Sequence, residues 1–444
     1  MNLQSSFPVL DRKAHEIIAF HHGVEVKAQE FLSRALALSK RLPPNKFVFN
    51  LCTDRFQYLL AFCATTIAGQ CTLMPPNRLP ATLQQLGSEY PDYYLLSNED
   101  VSEWDKSAGQ TLTDSPFEIP AIPADQLCAV AFTSGSTGLP TPNLKYWKTL
   151  RTGSLGNAQL LLPPTNQRLN VIATVPPQHM WGLEMSILLP LFSNVAISDR
   201  TPFYPQDIAD ALLALPEPRA MVSSPVHLNV LLKSKVQVAE LEYIFSATAP
   251  MSQQSAEQLE RQFGTRVIEV FGSSESGIVA RRETSAEVLW RLSDLFTLEI
   301  CDSGVSIQAQ HLPAEVFIRD AIEMVGDKQF RWLGRHQDML NIAGNRGSLA
   351  DLNKRLLSVK GVVDGVMFLP HGESERVAAM VVAPGLQAKE ILTGLKSEVE
   401  SIFLPRPLLM VDDLPRQATG KLANRDILEK FSKLIAKPHK VKST

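Results

Sequence analysis

Residues 129–140 read AVAFTSGSTGLP, and the fold turns on how this stretch is read. Its opening residues are β-type and deliver the chain into Thr133-Ser134-Gly135-Ser136-Thr137-Gly138. Glycines let the backbone turn back on itself and present N–H groups, and hydroxyls add donors, so such a loop suits an oxyanion such as phosphate. Without context the same residues make an ordinary surface linker. A nucleoside-triphosphatase P-loop is excluded by spacing: five residues after Gly135 stands Pro140, where a second glycine and then lysine are required.

Outward from this loop, strand and helix signals alternate. Ala28, Phe31, Leu32, Ala35, Leu36 and Leu38 have helical spacing within 25–41, and residues 46–52 (KFVFNLC) are β-rich. Asp54 opens a second helix, with Gln57 placed for a capping box and Gly69 as the stop. Residues 92–96, 127–132, 170–175 and 266–271 read as further strands. The alternation predicts an α/β fold of layered sheets and helices with substantial parallel sheet. Residues 322–333 read as a hairpin turning at Gly326-Asp327. Beyond it the pattern changes to short strands at 362–369 and 376–382 and a helix over 387–402. A boundary at 335–338 therefore divides the chain into a large N-terminal α/β domain, 1–335, and a small, mobile α+β C-terminal domain, 336–444.

The bulk numbers set limits. A chain of 444 residues exceeds a single hydrophobic core. A net charge of −3 argues against a nucleic-acid-binding face spread over the molecule. Cys52, Cys63, Cys71, Cys128 and Cys301 form no C-x-x-C pair and read as buried free thiols in a reducing compartment. The start lacks a basic segment followed by an apolar core, and no run of 18 apolar residues occurs, so a cytoplasmic protein without a membrane span is expected. The basic tail with Lys433, Lys437, Lys440 and Lys442 reads as a solvated terminus.

Further motifs come in order along the chain. Val175-Pro176-Pro177-Gln178-His179 precedes Gly182-Leu183, and Tyr243–Ser246 runs into Ala247-Thr248-Ala249-Pro250. Glu269-Val270-Phe271-Gly272-Ser273-Ser274-Glu275 is a strand ending in a glycine turn and a carboxylate. Gly334-Arg335 opens a stretch that includes Gln337 and Arg346, and Asp320 stands fourteen residues before Gly334. Leu414-Pro415-Arg416-Gln417-Ala418-Thr419-Gly420-Lys421 closes the series. Taken singly these are a helix cap, a structural histidine or a chance Gly-Lys. Taken in order, over nearly the whole chain, they resemble the adenylate-forming superfamily of acyl- and aryl-CoA synthetases, peptide-synthetase adenylation domains and luciferases.

The resemblance implies roles. The 133–138 loop would bind the phosphates of ATP, Ala247 and Thr248 would wall the adenine, and Phe271 and Gly272 would lead into the nucleotide site. Ser274 would face the α-phosphate, Glu275 would hold Mg²⁺, and Asp320 would bond the ribose hydroxyls. Arg335 and Arg346 would contact ribose or phosphate, His179 would border the acyl pocket, and Lys421 would act in adenylation. Thr141 and Pro142 depart from the family's Lys-Gly, and Lys145 or Lys148 would supply a nearby cation instead. The 45 residues from Glu275 to Asp320 mark a compact member. The variant after the loop, with the PPQHMWGLE stretch, resembles the compact ligases of aryl-polyene and xanthomonadin-type pigment clusters.

The implied reaction has two halves. A small carboxylic acid, aromatic or hydroxy-aromatic, attacks the α-phosphate of ATP, and a thiol of an acyl carrier protein or of CoA then takes the acyl group. No general base is needed, because a carboxylate is already ionised at neutral pH. Two other readings stand beside it: a non-catalytic nucleotide- or acyl-AMP-binding relative, and a stand-alone peptide-synthetase-type adenylation domain. Glu184, rather than an aspartate, comes after the His179 region, which disfavours an α-amino substrate.

Overall fold

The computed structural model describes residues 5–108, 117–134, 140–165, 167–335, 339–342, 345–370, 376–396, 399–416 and 422–435. For Ser134, Arg335 and Arg346 it describes the backbone alone. The chain packs as two compact units, Met1–Thr297 with Ile307–Val316, and Leu298–Ser306 with Phe317–Thr444. The second unit takes in the 322–333 hairpin together with the C-terminal residues.

The first unit is built on two sheets. One has the order Tyr93–Leu96, Phe47–Asn50, Cys71–Met74, Leu127–Ser134, Pro140–Tyr146; it is parallel until the last, antiparallel pair. In the other, Arg266–Ser273, Tyr243–Ser246, Arg219–Ser223, Leu169–Ala173, Val195–Ser198 and Ile17–His21 are parallel neighbours in that order. Antiparallel strands Gly277–Glu283 and Val24–Lys27 flank them.

Strand side chains alternate between faces, and here both faces are apolar. Val48, Ala129 and Ala131 join the core that also holds Val171, Val222 and Phe245 of the second sheet, while Phe49, Val130 and Phe132 pack on the outer face. Ile172, Met221 and Ile244 face a third core with the helices Pro205–Leu213 and Gln253–Phe263. Helices Ala28–Ser39 and Arg55–Ile67 fill the layer between the sheets. Arg55–Ile67 reads FQYLLAFCATTI after its first residue and is buried on all sides, as an all-round apolar helix must be.

Asp54 caps that helix by accepting from the Gln57 N–H at 2.9 Å. The Gln57 side chain does not close the expected box; it donates to Ser102 Oγ at 2.5 Å, because a neighbouring helix offers a closer partner. Cys52, Cys63, Cys71 and Cys128 are free and buried, and Cys301 is free and half-buried. Burial pushes the Cys52 and Cys128 thiols up to about 12, so neither is a thiolate nucleophile at neutral pH.

In the second unit, Asp320–Met324 and Gln329–Arg335 form the expected hairpin. A sheet of Asp364–Phe368, Ala378–Val382 and Leu408–Met410 is covered on both faces. The helix expected over 387–402 ends at Leu395. Its buried positions Ile391, Leu395, Val399 and Phe403 keep the four-residue spacing beyond that end, which is why the sequence reads as one helix. Lys433, in the helix Asn424–Ile435, is exposed and pairs with Glu429. No helix among the described residues is long and apolar enough to cross a membrane.

Candidate active site

The parallel strands of the larger sheet end together. Ala173 is level with Val222, Ser223 with Ser246, and Ser246 with Glu269. The segments 174–183 and 247–251, with residues 270–276 beyond the last parallel pair, therefore lie at one edge of the sheet. Ligands of open α/β sheets bind outside the carboxyl ends of strands. His179, Ala247, Thr248, Ser274 and Glu275 are thus brought to one edge.

Each segment is held from a distance. Arg55, fully buried, donates through Nη2 to Ala173 O and Val175 O at 2.8 Å each and through Nη1 to Ser186 Oγ at 2.6 Å. Burial lowers its pKa to about 10, so it stays charged at neutral pH. Trp181 Nε1 donates to Ser223 O at 3.2 Å, and Arg78 Nη2 to Gln178 Oε1 at 3.2 Å. A Cβ on Gly182 would lie 2.0 Å from Pro176 O, so only glycine lets the turn before His179 close on itself. His179 is half-buried at the start of Met180–Leu183.

The 247–251 segment hangs on Glu269, which is almost wholly buried. Glu269 accepts from the Met251 N–H at 2.9 Å, from both Arg282 Nε and Nη2, and from Thr284 Oγ1. Ala247 is buried and Thr248 half-buried. Thr248 has φ +82°, a left-handed backbone that disfavours a β-branched residue. Holding it there costs on the order of 1–3 kcal/mol, and such strain gathers at binding sites. We expect Thr248→Gly to raise stability by about 1 kcal/mol and the melting temperature by roughly 2 °C, measured by calorimetry. An unchanged or lowered melting temperature would show that the threonine's contacts outweigh its backbone strain.

The strand Arg266–Ser273 shifts register between Phe271 and Gly272, a bulge that re-aims the residues beyond it. A Cβ on Gly272 would lie 2.2 Å from Gly277 O, so glycine is required where the chain doubles back. Phe271 is half-buried, its ring 5.5 Å from that of Trp290. Ser274 is half-buried and Glu275 exposed in the turn. A single exposed carboxylate of this kind fits Mg²⁺, which takes one or two protein carboxylates beside phosphate and keeps its waters.

The hairpin of Leu127–Ser134 and Pro140–Tyr146 places Thr133 level with Thr141. Gly135, Ser136, Thr137 and Gly138 lie outside the described residues. Of the two lysines offered as substitutes, Lys148 donates to Gln310 O. Lys145 is no surface lysine: it is 2% exposed, and its Nζ donates to Glu275 O at 2.9 Å. It ties the hairpin to the carboxylate-bearing turn.

Behind that turn lies a small cavity lined by Lys145, Thr149, Glu184, Gly277, Ile278 and His311, among others. Glu184 is buried in a π-helical segment, Glu184–Leu188, and its Oε1 accepts from the Ile278 N–H at 3.0 Å and Asn157 Nδ2 at 3.2 Å. Burial raises the Glu184 pKa to about 7 and lowers that of His311 to about 4. Lys145 is lowered by the same desolvation, opposed by Glu184 and Glu275.

In the second unit Asp320 is level with Arg335 across the hairpin, and Trp332 Nε1 donates to Asp320 Oδ1 at 2.7 Å. Asp327 falls in the turn, as its place in the sequence suggested. Arg346 lies on the strand Asn345–Ser348, paired with Met339–Ile342. Lys421 and Gln337 lie outside the described residues.

The fold is that of the adenylate-forming enzymes. Residues 55–299 match the family model of the AMP-binding enzymes, and the chain belongs to that family. It is 25% identical to 4-coumarate–CoA ligase of Halorhodospira halophila over 65% of this chain and 73% of that protein. In fold it is similar to ATP-bound MatB from Rhodopseudomonas palustris (TM-score 0.80, 16% identity, 95% of this chain and 97% of that one). It is likewise similar to o-succinylbenzoate coenzyme A synthetase from Bacillus subtilis in complex with ATP and magnesium ion (TM-score 0.75, 16% identity, 93% and 96%).

Proposed function

We propose that this protein activates a small aromatic carboxylic acid with ATP, forming acyl-AMP and pyrophosphate, and passes the acyl group to a thiol of CoA or an acyl carrier protein. The observation that carries this reading is the turn 273–276. An exposed carboxylate stands there at the carboxyl edge of the parallel sheet, beside the segments of His179 and Ala247. Mg²⁺, when bound at Glu275, supplies positive charge to the phosphates. The protein's part is positioning and charge stabilisation. Ser274 meets the α-phosphate, the 133–138 loop the others, and Ala247 and Thr248 flank the base. Asp320 and Arg335 hold the ribose, and His179 borders the acid.

Rotation of the small domain about residues 335–338 removes Lys421 after adenylation and admits the thiol. The aromatic assignment is supported by the names of two relatives, a 4-coumarate and an o-succinylbenzoate ligase, and by the likeness to pigment-cluster ligases. The free cysteines support a cytoplasmic setting.

ATP–pyrophosphate exchange with benzoates, cinnamates, fatty acids and amino acids tests this reading. Exchange that requires one class of aromatic acid is the expected result. ATP binding without exchange for any acid would instead favour a binding protein. CoA and a carrier protein, added in turn, identify the acceptor.

A further inference from the structure

The cavity behind the 273–276 turn pairs a buried cation with a buried carboxyl group. Lys145 is 2% exposed and Glu184 6%. Both line the space. One oxygen of Glu184 is occupied by Asn157 and Ile278, and Lys145 spends one of its three protons on Glu275 O. The enclosed volume is about 10 Å³, which holds one oxygen-sized group. Its lining includes Met180, next to His179, and Ser276 and Gly277, which follow Glu275, so it adjoins the segments that the proposed reaction uses. The π-helical turn that carries Glu184 is of a kind common at functional sites.

We propose that Lys145 and Glu184 are specificity-determining residues that hold a hydroxyl group at the far end of the acid. This inference rests on the proposed acid activation. A hydroxyl accepts from the ammonium and donates to the carboxylate. A second carboxylate suits Lys145 but not ionised Glu184, and an ammonium suits Glu184 but not Lys145, so neither satisfies both groups as a hydroxyl does. An unsubstituted ring leaves two buried polar groups without a partner, and sites built around a substrate hydroxyl reject such analogues by large factors.

The test compares 4-hydroxybenzoate, 3-hydroxybenzoate and benzoate in ATP–pyrophosphate exchange, for the native protein, Glu184→Gln and Lys145→Met. We expect kcat/KM for a hydroxybenzoate to exceed that for benzoate by about 100-fold or more, and the ratio to fall below about 10 in both variants. A native ratio near one with exchange present, or a ratio the variants leave unchanged, overturns the assignment while the acid-activation reading stands. Glu184→Gln retains the bonds from Asn157 and Ile278, so it decides the case if Lys145→Met does not fold. Calorimetric binding of 4-hydroxybenzoate and benzoate separates the two failures. Hydroxyl-selective binding lost in Glu184→Gln, with no exchange for any acid, keeps the pocket and removes the reaction. Absence of both selective binding and exchange removes the two together.

Discussion

Lys421→Ala lowers acid-dependent ATP–pyrophosphate exchange by about 10²–10³-fold, the usual effect of removing one group that meets charge developing in a transition state. The reaction moves negative charge onto departing pyrophosphate, and the motif around Lys421 resembles the family's source of a mobile cation there. The expected pattern is a fall in kcat with little change in the KM for the acid, since the lysine acts on the phosphates. Thioester formation from supplied acyl-AMP stays within a few-fold of the native rate, because the proposed rotation takes Lys421 away before the thiol enters. Equal loss in both halves would mean that the substitution damages the fold or that no such rotation occurs. Thr141 sharpens the test. With no lysine at that position, the phosphates depend more heavily on Lys421, so the loss belongs at the upper end of the range.

Arg55→Met destabilises the protein by about 3 kcal/mol or more, and Arg55→Lys recovers only part of it. The guanidinium serves two backbone carbonyls and the Ser186 hydroxyl from a fully buried position. Its removal strands Ala173 O and Val175 O, at about 1–3 kcal/mol for each buried acceptor left unpaired. Relief of the arginine's own desolvation offsets part of that cost. A lysine offers one point of charge, without the planar fork that reaches three acceptors. Urea denaturation gives the stability change as a lowered midpoint with an unchanged slope. Because Val175 leads directly into His179, the surviving folded protein should also show a raised KM for the acid. A midpoint within about 1 kcal/mol of native would show that water or neighbouring donors replace the guanidinium.

Much of the backbone that carries the candidate residues was legible in the sequence because its signals are local. Gly272 and Glu275 lie within one strand and its turn, and their spacing reflects how a chain leaves a sheet edge. The choice of Asp320 over Asp327 rested on counting back from Gly334. That spacing is what the resemblance implies; the hairpin sets Asp320 opposite Arg335 and Asp327 in its turn. Alternating strand and helix patterns were enough for the α/β class.

What the sequence by itself determined, then, is the order of strands, turns and carboxylates, and through it the family. What only the tertiary structure decided is which polar side chains are taken out of water together. Lys145 reaches Glu275 across 130 residues, Glu184 meets Ile278 across 94, and Arg55 meets Ala173 across 118. No local pattern encodes such pairs. A lysine two residues before a tryptophan reads as surface, and a glutamate after Gly182-Leu183 reads as an ordinary helix residue. Desolvation turns them into partners, and burial is a property of the whole fold rather than of any window along the chain.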